Sequence, residues 1–154
     1  MNDFPGSLNW LTEHIARLGR SYAHWTGRDL FPGVPTANWV EAAWESPAVL
    51  VSHGTEADPI LNFGNRTALG LWDLTWSEFT CTPSRLTAEA PEREERTRLM
   101  AQVTRHGFIA NYAGVRISRS GRRFRIDAAT VWNILDESGH PAGQAAMFDR
   151  WRWL

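Results

Sequence analysis

The chain has 154 residues, 43 % hydrophobic and 21 % charged, with 16 Lys+Arg against 17 Asp+Glu. That is the size and mix of one folded domain, and a net charge of −1 gives no general pull towards nucleic acid or anionic lipid. All the cationic residues are arginine and Cys81 is the single cysteine, which excludes a P-loop, a Schiff-base enzyme, a Ser-x-x-Lys hydrolase, an internal disulfide and a Cys-rich zinc site.

Leu8, Leu11, Ile15, Leu18 and Tyr22 recur at intervals of three or four and predict a helix from Ser7, its cap, to about Trp25, with Gly27 as its stop. After a Gly/Pro-rich connector, Thr36 is placed to cap a second helix carrying Trp39, Val40, Ala43 and Trp44, closed by Ser46-Pro47. Ala48–Ser52 and Ile60–Phe63 read as short strands around a turn-rich loop, His53 to Pro59. Helix returns over Asn65–Trp72 behind the cap Gly64-Asn65, and again over Thr75–Phe79, where Thr75 and Glu78 stand in capping-box register. Pro91 to His106 reads as a charged helix with acids early and Arg105 and His106 late, as its dipole prefers, and with Leu99, Met100 and Val103 as its buried stripe.

The last third alternates. Gly114–Ser118 and Arg122–Leu135 read as strands joined at Ser120-Gly121, with Phe124, Ile126, Ala128, Trp132 and Ile134 on one face and Arg123, Arg125, Asp127 and Asn133 mainly on the other. A turn over Asp136–Pro141 leads to a final strand, Ala142–Trp153.

Two short strands, several small helices and three long antiparallel strands form the element order of a PAS domain. Asp58-Pro59-Ile60-Leu61-Asn62-Phe63-Gly64-Asn65-Arg66-Thr67-Ala68-Leu69 resembles the opening helical stretch of that fold, and Asp136-Glu137-Ser138-Gly139-His140-Pro141-Ala142-Gly143 resembles its last turn. From about Leu8 to Trp153 the chain more closely resembles the MEKHLA family. This PAS-like domain is found alone in bacteria and at the C-terminus of plant class III homeodomain–leucine zipper proteins. Thr26-Gly27-Arg28-Asp29-Leu30, Ser52-His53-Gly54-Thr55-Glu56-Ala57-Asp58-Pro59, Pro83-Ser84-Arg85-Leu86 and Gln144-Ala145-Ala146 carry that resemblance. It implies an α+β fold: a PAS-like five-stranded antiparallel sheet with helices packed on one face (residues 47–154), preceded by an N-terminal helical extension (residues 1–46).

PAS folds hold small molecules in the cup between helices and sheet. By that resemblance the cup is walled by Leu69, Trp72, Leu99, Val103, Phe124, Ile126, Trp132, Ala145 and Met147, a lining that suits either an open ligand pocket or a filled core. The flavin-binding photoactive relatives carry a reactive Cys in an N-C-R-F-L-Q motif, whose place falls here on Ser84, with Cys81 three residues too early. That argues against a flavin photoadduct. The haem oxygen sensors resemble this chain around Arg105-His106-Gly107-Phe108, but one residue is missing before the aromatic and their Arg falls on Asn111. His106 is therefore a poor axial ligand and reads first as a dipole-favoured helix end. His53, Glu56 and Asp58 offer one nitrogen and two oxygens for a metal, or simply a hydrogen-bonded turn with Glu56 paired to an arginine such as Arg66. No nucleophile or oxyanion device accompanies them, so no enzyme is expected. Arg116, Arg119, Arg122, Arg123 and Arg125 cluster around one hairpin and read as a solvated outer sheet face, open to cover by another subunit or by the N-terminal helices.

The expected function is a sensory or regulatory module that binds a small-molecule ligand or a partner protein and acts in trans or as a homodimer. A protein-interaction module with a filled core and a small enzyme built on His53 are the alternatives. The chain has no apolar run near 18 residues and opens without a secretory signal, so a cytoplasmic protein outside the membrane is expected.

Overall fold

The computed structural model describes residues 4–154, apart from the side chains of residues 90 and 91. Helix α1 (Leu8–Thr26) begins where the Ser7 hydroxyl accepts from Trp10 N–H and stops at Gly27, whose φ of 71° is the left-handed conformation that suits glycine. The predicted Thr36 cap is instead the first residue of a 3-10 turn, Thr36–Asn38, and α2 (Trp39–Glu45) follows without a side-chain cap. Strands β1 (Val49–His53) and β2 (Leu61–Gly64) lead into α3 (Arg66–Trp72), capped by Asn65, and α4 (Trp76–Phe79), which carries the complete Thr75/Glu78 capping box. A 3-10 turn, Ser84–Thr87, precedes α5 (Ala90–His106). Strands β3 (Phe108–Ile117), β4 (Arg123–Leu135), β5 (Pro141–Phe148) and β6 (Arg150–Trp153) complete the chain.

The strands form one antiparallel sheet in the order β2-β1-β5-β4-β3, with β6 also paired to β4. The sheet thus has six strands where five were expected, because the predicted last strand breaks at Asp149 into β5 and β6. Strand β3 starts at Phe108, six residues earlier than the alternation had indicated.

Both corrections share a cause. Asn111 on β3 and Ala128 on β4 have φ of 58° and 54°, and the β3–β4 register shifts on either side of Tyr112. These kinks and the break at Asp149 cross three neighbouring strands, and each reverses which residues face which side. Before the kink in β4, Phe124 and Ile126 pack with Trp72 and Phe79 from the helical side. After it, Val131 joins Leu99 and Val103 on that same side, while Trp132 and Ile134 turn to the opposite face.

That opposite face is closed by α1. Leu11, Ile15, Leu18 and Tyr22 pack on Leu50, Phe63, Trp132, Ile134 and Ala145 in one continuous cluster. Leu11, Ile15 and Leu18 are each at most 1 % exposed, and burial of such a side chain stabilises by roughly 1.5–3 kcal/mol. Polar contacts fix the docking angle. Trp132 Nε1 donates to Leu18 O at 3.2 Å, Trp25 Nε1 to Asn133 O at 2.9 Å, and Arg17 grips Glu137 through two bonds of 3.0 and 2.9 Å. His14 is buried at the centre, its Nε2 2.8 Å from Ser52 Oγ. The Ser52 hydroxyl donates to Asn62 Oδ1 at 2.6 Å, so the imidazole is the donor to Ser52.

Candidate ligand cavity

On the other side of the sheet, α5 presents Arg96, Leu99, Met100 and Val103 at helical spacing, so a cation occupies the first place in an otherwise apolar stripe. The far half of α5 is tied to the sheet by amides: Gln144 Nε2 donates to Met100 O at 3.2 Å, Thr104 Oγ1 at 3.1 Å and Asn133 Oδ1 at 3.0 Å, and Asn133 Nδ2 donates to Val103 O at 2.8 Å. Between α5, α3, the Ser84–Thr87 turn and the sheet lies an inner cavity of about 70 Å³. Leu61, Trp72, Phe79, Leu99, Ile126, Val131 and Phe148 supply most of its apolar wall. A second hollow of about 440 Å³ opens beside it, over the loop Gly54–Pro59. His53, Arg96, Met100 and Gln144 border both, and form the partition between them.

Polar groups around the inner cavity are mostly donors. Arg96 is 8 % exposed and Arg116 6 % exposed, and among the described residues neither is in an ion pair. Arg96 bonds to Ser84 Oγ, while Arg116 reaches Val115 O at 2.9 Å and the Tyr112 hydroxyl at 3.2 Å. Burial and, after it, the neighbouring Arg116 cation bring the Arg96 guanidinium down to about 10. Trp72 Nε1, an obligate donor, has no partner among the described residues. His53 Nδ1 lies 2.9 Å from Gly54 O, to which it must donate, leaving Nε2 as a buried acceptor with no donor. Burial holds this imidazole below its ordinary pKa, partly offset by the Gly54 carbonyl. Among the described residues no carboxylate borders the inner cavity.

Glycines let these pieces meet. A Cβ on Gly114 would collide with the Tyr112 hydroxyl, and one on Gly143 (φ 130°) with the His53 carbonyl oxygen.

The residues expected to wall the cup divide. Trp72, Leu99 and Ile126 line the inner cavity, and Ala145 borders it while also belonging to the α1-side cluster. Leu69, Val103 and Phe124 lie on the same side of the sheet, outside the cavity lining. Trp132 and Met147 are corrections: both belong to the α1 side, Trp132 because the kink at Ala128 reverses the alternation of β4, and Met147 because it shares a face of β5 with Ala145. His106 is exposed at the end of α5 and does not border the cavity. His53, Glu56 and Asp58 do not converge on a metal: Glu56 accepts from Ile60 N–H at 3.0 Å, Asp58 pairs with Arg85 at 3.2 Å, and no group of three possible ligands gathers among the described residues. Arg66, an expected partner of Glu56, pairs with Glu45.

Of the hairpin arginines, Arg119 pairs with Glu78, Arg123 with Glu89, Arg125 with Asp127, and Arg122 stacks on Trp153. Arg116 was grouped with them and instead faces the cup. At the place of the photoactive relatives' cysteine Ser84 stands in the wall and Cys81 is exposed, so these two positions supply no thiol to the cavity.

Arg96 and Gln144 were missed. Counting back three residues from Leu99 would have placed Arg96 in the buried stripe, whereas nothing local marks Gln144.

The solved structures this chain is similar to are PAS and light-oxygen-voltage domains. A PAS domain from Colwellia psychrerythraea superposes with a TM-score of 0.62 at 14 % identity, covering 74 % of this chain and 92 % of that one. A light-oxygen-voltage domain studied with a flavin analogue gives 0.60 at 12 % identity over 75 % and 83 % of the two chains. These establish a PAS-like α+β fold. In sequence the chain is 31 % identical over 144 residues to homeobox-leucine zipper protein ATHB-14 of Arabidopsis thaliana, covering 89 % of this chain and 17 % of that protein. It is 26 % identical over 153 residues to homeobox-leucine zipper protein HOX32 of Oryza sativa subsp. japonica, covering 97 % and 18 %. The chain spans under a fifth of the length of these relatives. No helix among the described residues is long and apolar enough to cross a membrane. The MEKHLA domain model matches residues 12–153, and the chain belongs to the MEKHLA domain family.

Proposed function

We propose that this chain is a sensory or regulatory module that binds a small molecule in the cup under α5 and signals through the packing of α5 on the sheet. The observation that carries this reading is the partition of His53, Arg96, Met100 and Gln144, which stands between the inner cavity and the larger hollow over Gly54–Pro59. Two of its members, Met100 and Arg96, ride on α5, and Gln144 ties α5 to β5. A ligand that prefers one placement of α5 shifts the balance between placements. The altered surface then acts on a partner protein or on a second copy of the chain. The reading includes no catalysis: Glu56 is engaged by Ile60 N–H and Asp58 by Arg85.

Native mass spectrometry and an absorption spectrum of untagged protein test this, together with hydrogen exchange before and after removal of any bound mass. Retained ligand, with slower exchange in α5 when it is present, is the expected result. A ligand-free protein whose exchange responds to no small molecule overturns it. The small size of the inner cavity supports one competing reading, a protein-interaction module with a filled core. Capture of a partner that survives filling the cavity by Ala129→Leu would favour it.

A further inference from the structure

We infer that the cup is a binding site for a small organic carboxylate, its head held by Arg96 and Arg116. This rests on the reading of the cup as a ligand site and goes beyond it by naming the ligand's chemistry. Two guanidinium groups, each more than nine-tenths buried, border one cavity with no carboxylate in its wall and no ion pair among the described residues. Buried cations are ordinarily matched by anions, because charge taken from water without a counter-charge is costly. Their direct hydrogen bonds among the described residues go to neutral oxygens, Ser84 Oγ for Arg96, Val115 O and the Tyr112 hydroxyl for Arg116, while the Asp58 carboxylate in the neighbouring hollow attracts Arg96 through space without pairing with it. The two cations also repel, which lowers the proton affinity of Arg96 further. An oxyanion between them answers the desolvation and the repulsion together, in the fork geometry a guanidinium offers.

The rest of the wall sets the remainder of the ligand. Leu61, Leu99, Ile126 and Phe148 call for a short aliphatic or aromatic body, not a sugar or a nucleoside. The partition at Met100 and Gln144 leads to the larger hollow, where a longer tail would lie.

The test titrates full-length protein with acetate, butyrate and benzoate, with their neutral amides and with inorganic phosphate, at fixed ionic strength. Melting temperature and calorimetric Kd are the readouts. Carboxylates are expected to raise the melting temperature by roughly 5–10 °C at about a hundredfold excess over Kd, and the matching amides to do far less. Arg96→Met and Arg116→Met should each weaken carboxylate binding at least about tenfold. Arg96→Lys, which keeps the charge, should retain part of it and serves if either Met variant fails to fold. Arg122→Met, on the surface, should leave binding unchanged. Stabilisation by phosphate with none by carboxylates would overturn the organic-acid assignment. Amides binding as tightly as carboxylates, or an unchanged Kd in Arg96→Met and Arg116→Met, would overturn the anion inference and leave a ligand-binding cup standing. Failure of every probe, charged and neutral, together with no response of α5 exchange, would overturn both.

Discussion

On the α1 side of the sheet large side chains meet large side chains, and the central buried polar atoms find partners: Leu18 O takes the Trp132 indole, and Ser52 sits between His14 and Asn62, while at the edge Trp44 Nε1, beside Trp76, has none among the described residues. On the α5 side the same strands border a cavity, two unpaired cations, an indole N–H and an imidazole nitrogen without partners. The first face is packed throughout its centre; the second combines apolar packing with unmet polar capacity under a helix held by Leu99 and Val103 and by the amides of Gln144 and Asn133. The contrast teaches where stability and binding reside. Deletions on the first face should cost folding free energy, whereas removal of charge from the second should cost binding and little else.

Trp132→Ala is expected to have the largest effect, a loss of about 3–5 kcal/mol in urea unfolding, because it empties a fully buried site and removes the indole's bond to Leu18 O. Arg96→Met, by contrast, should leave ligand-free stability unchanged or raised, since it removes an uncompensated buried charge. A comparable loss in both would erase the distinction between the faces.

Acid comes next. Burial, and after it the Arg17 cation, lowers His14 to about 4 from 6.5. Between those values the unfolded chain binds the proton and the folded chain does not, so stability is full above about 6.5 and falls as pH drops towards 4. His53, also lowered, adds in the same direction. Unfolding curves at pH 7 and 4.5 should differ by about 2–3 kcal/mol from His14, and His14→Gln should flatten that slope. An unchanged slope in His14→Gln would show that the α1 contact does not carry the acid response.

The smallest effect is a gain. Ala128 has φ of 54°, a conformation that costs an L-residue about 1–2 kcal/mol and glycine almost nothing. Ala128→Gly should therefore stabilise by up to about 1 kcal/mol, net of the flexibility added to the unfolded chain. A loss instead would mean that the kink relies on the alanine methyl.

The same kink explains what could and could not be read from the letters. Local chemistry was legible: the Ser7 and Asn65 caps, the Gly27 stop, the Thr75/Glu78 box and the apolar stripe of α1 all depend on neighbours within a few residues. The antiparallel sheet under small helices was legible from element order. The sidedness of β4 was not, because strict alternation was carried through Ala128, a residue that gives no sign of a positive φ. Trp132 was misplaced for that reason. Arg96 went unremarked and Arg116 was read as part of a solvated face because an arginine amid charged residues reads as surface, and only the packing of Ser84 and Tyr112 around them reveals their burial. Gln144 depends on partners eleven to forty-four residues away, beyond any local pattern.

Methyl-resolved NMR during a benzoate titration probes the division between the faces most directly. The account predicts saturable shifts at Leu61, Leu99, Ile126 and Val131, with Leu11, Ile15, Leu18 and Leu50 left in place. Shifts centred on the α1 cluster, or none on either face up to millimolar ligand, would contradict it.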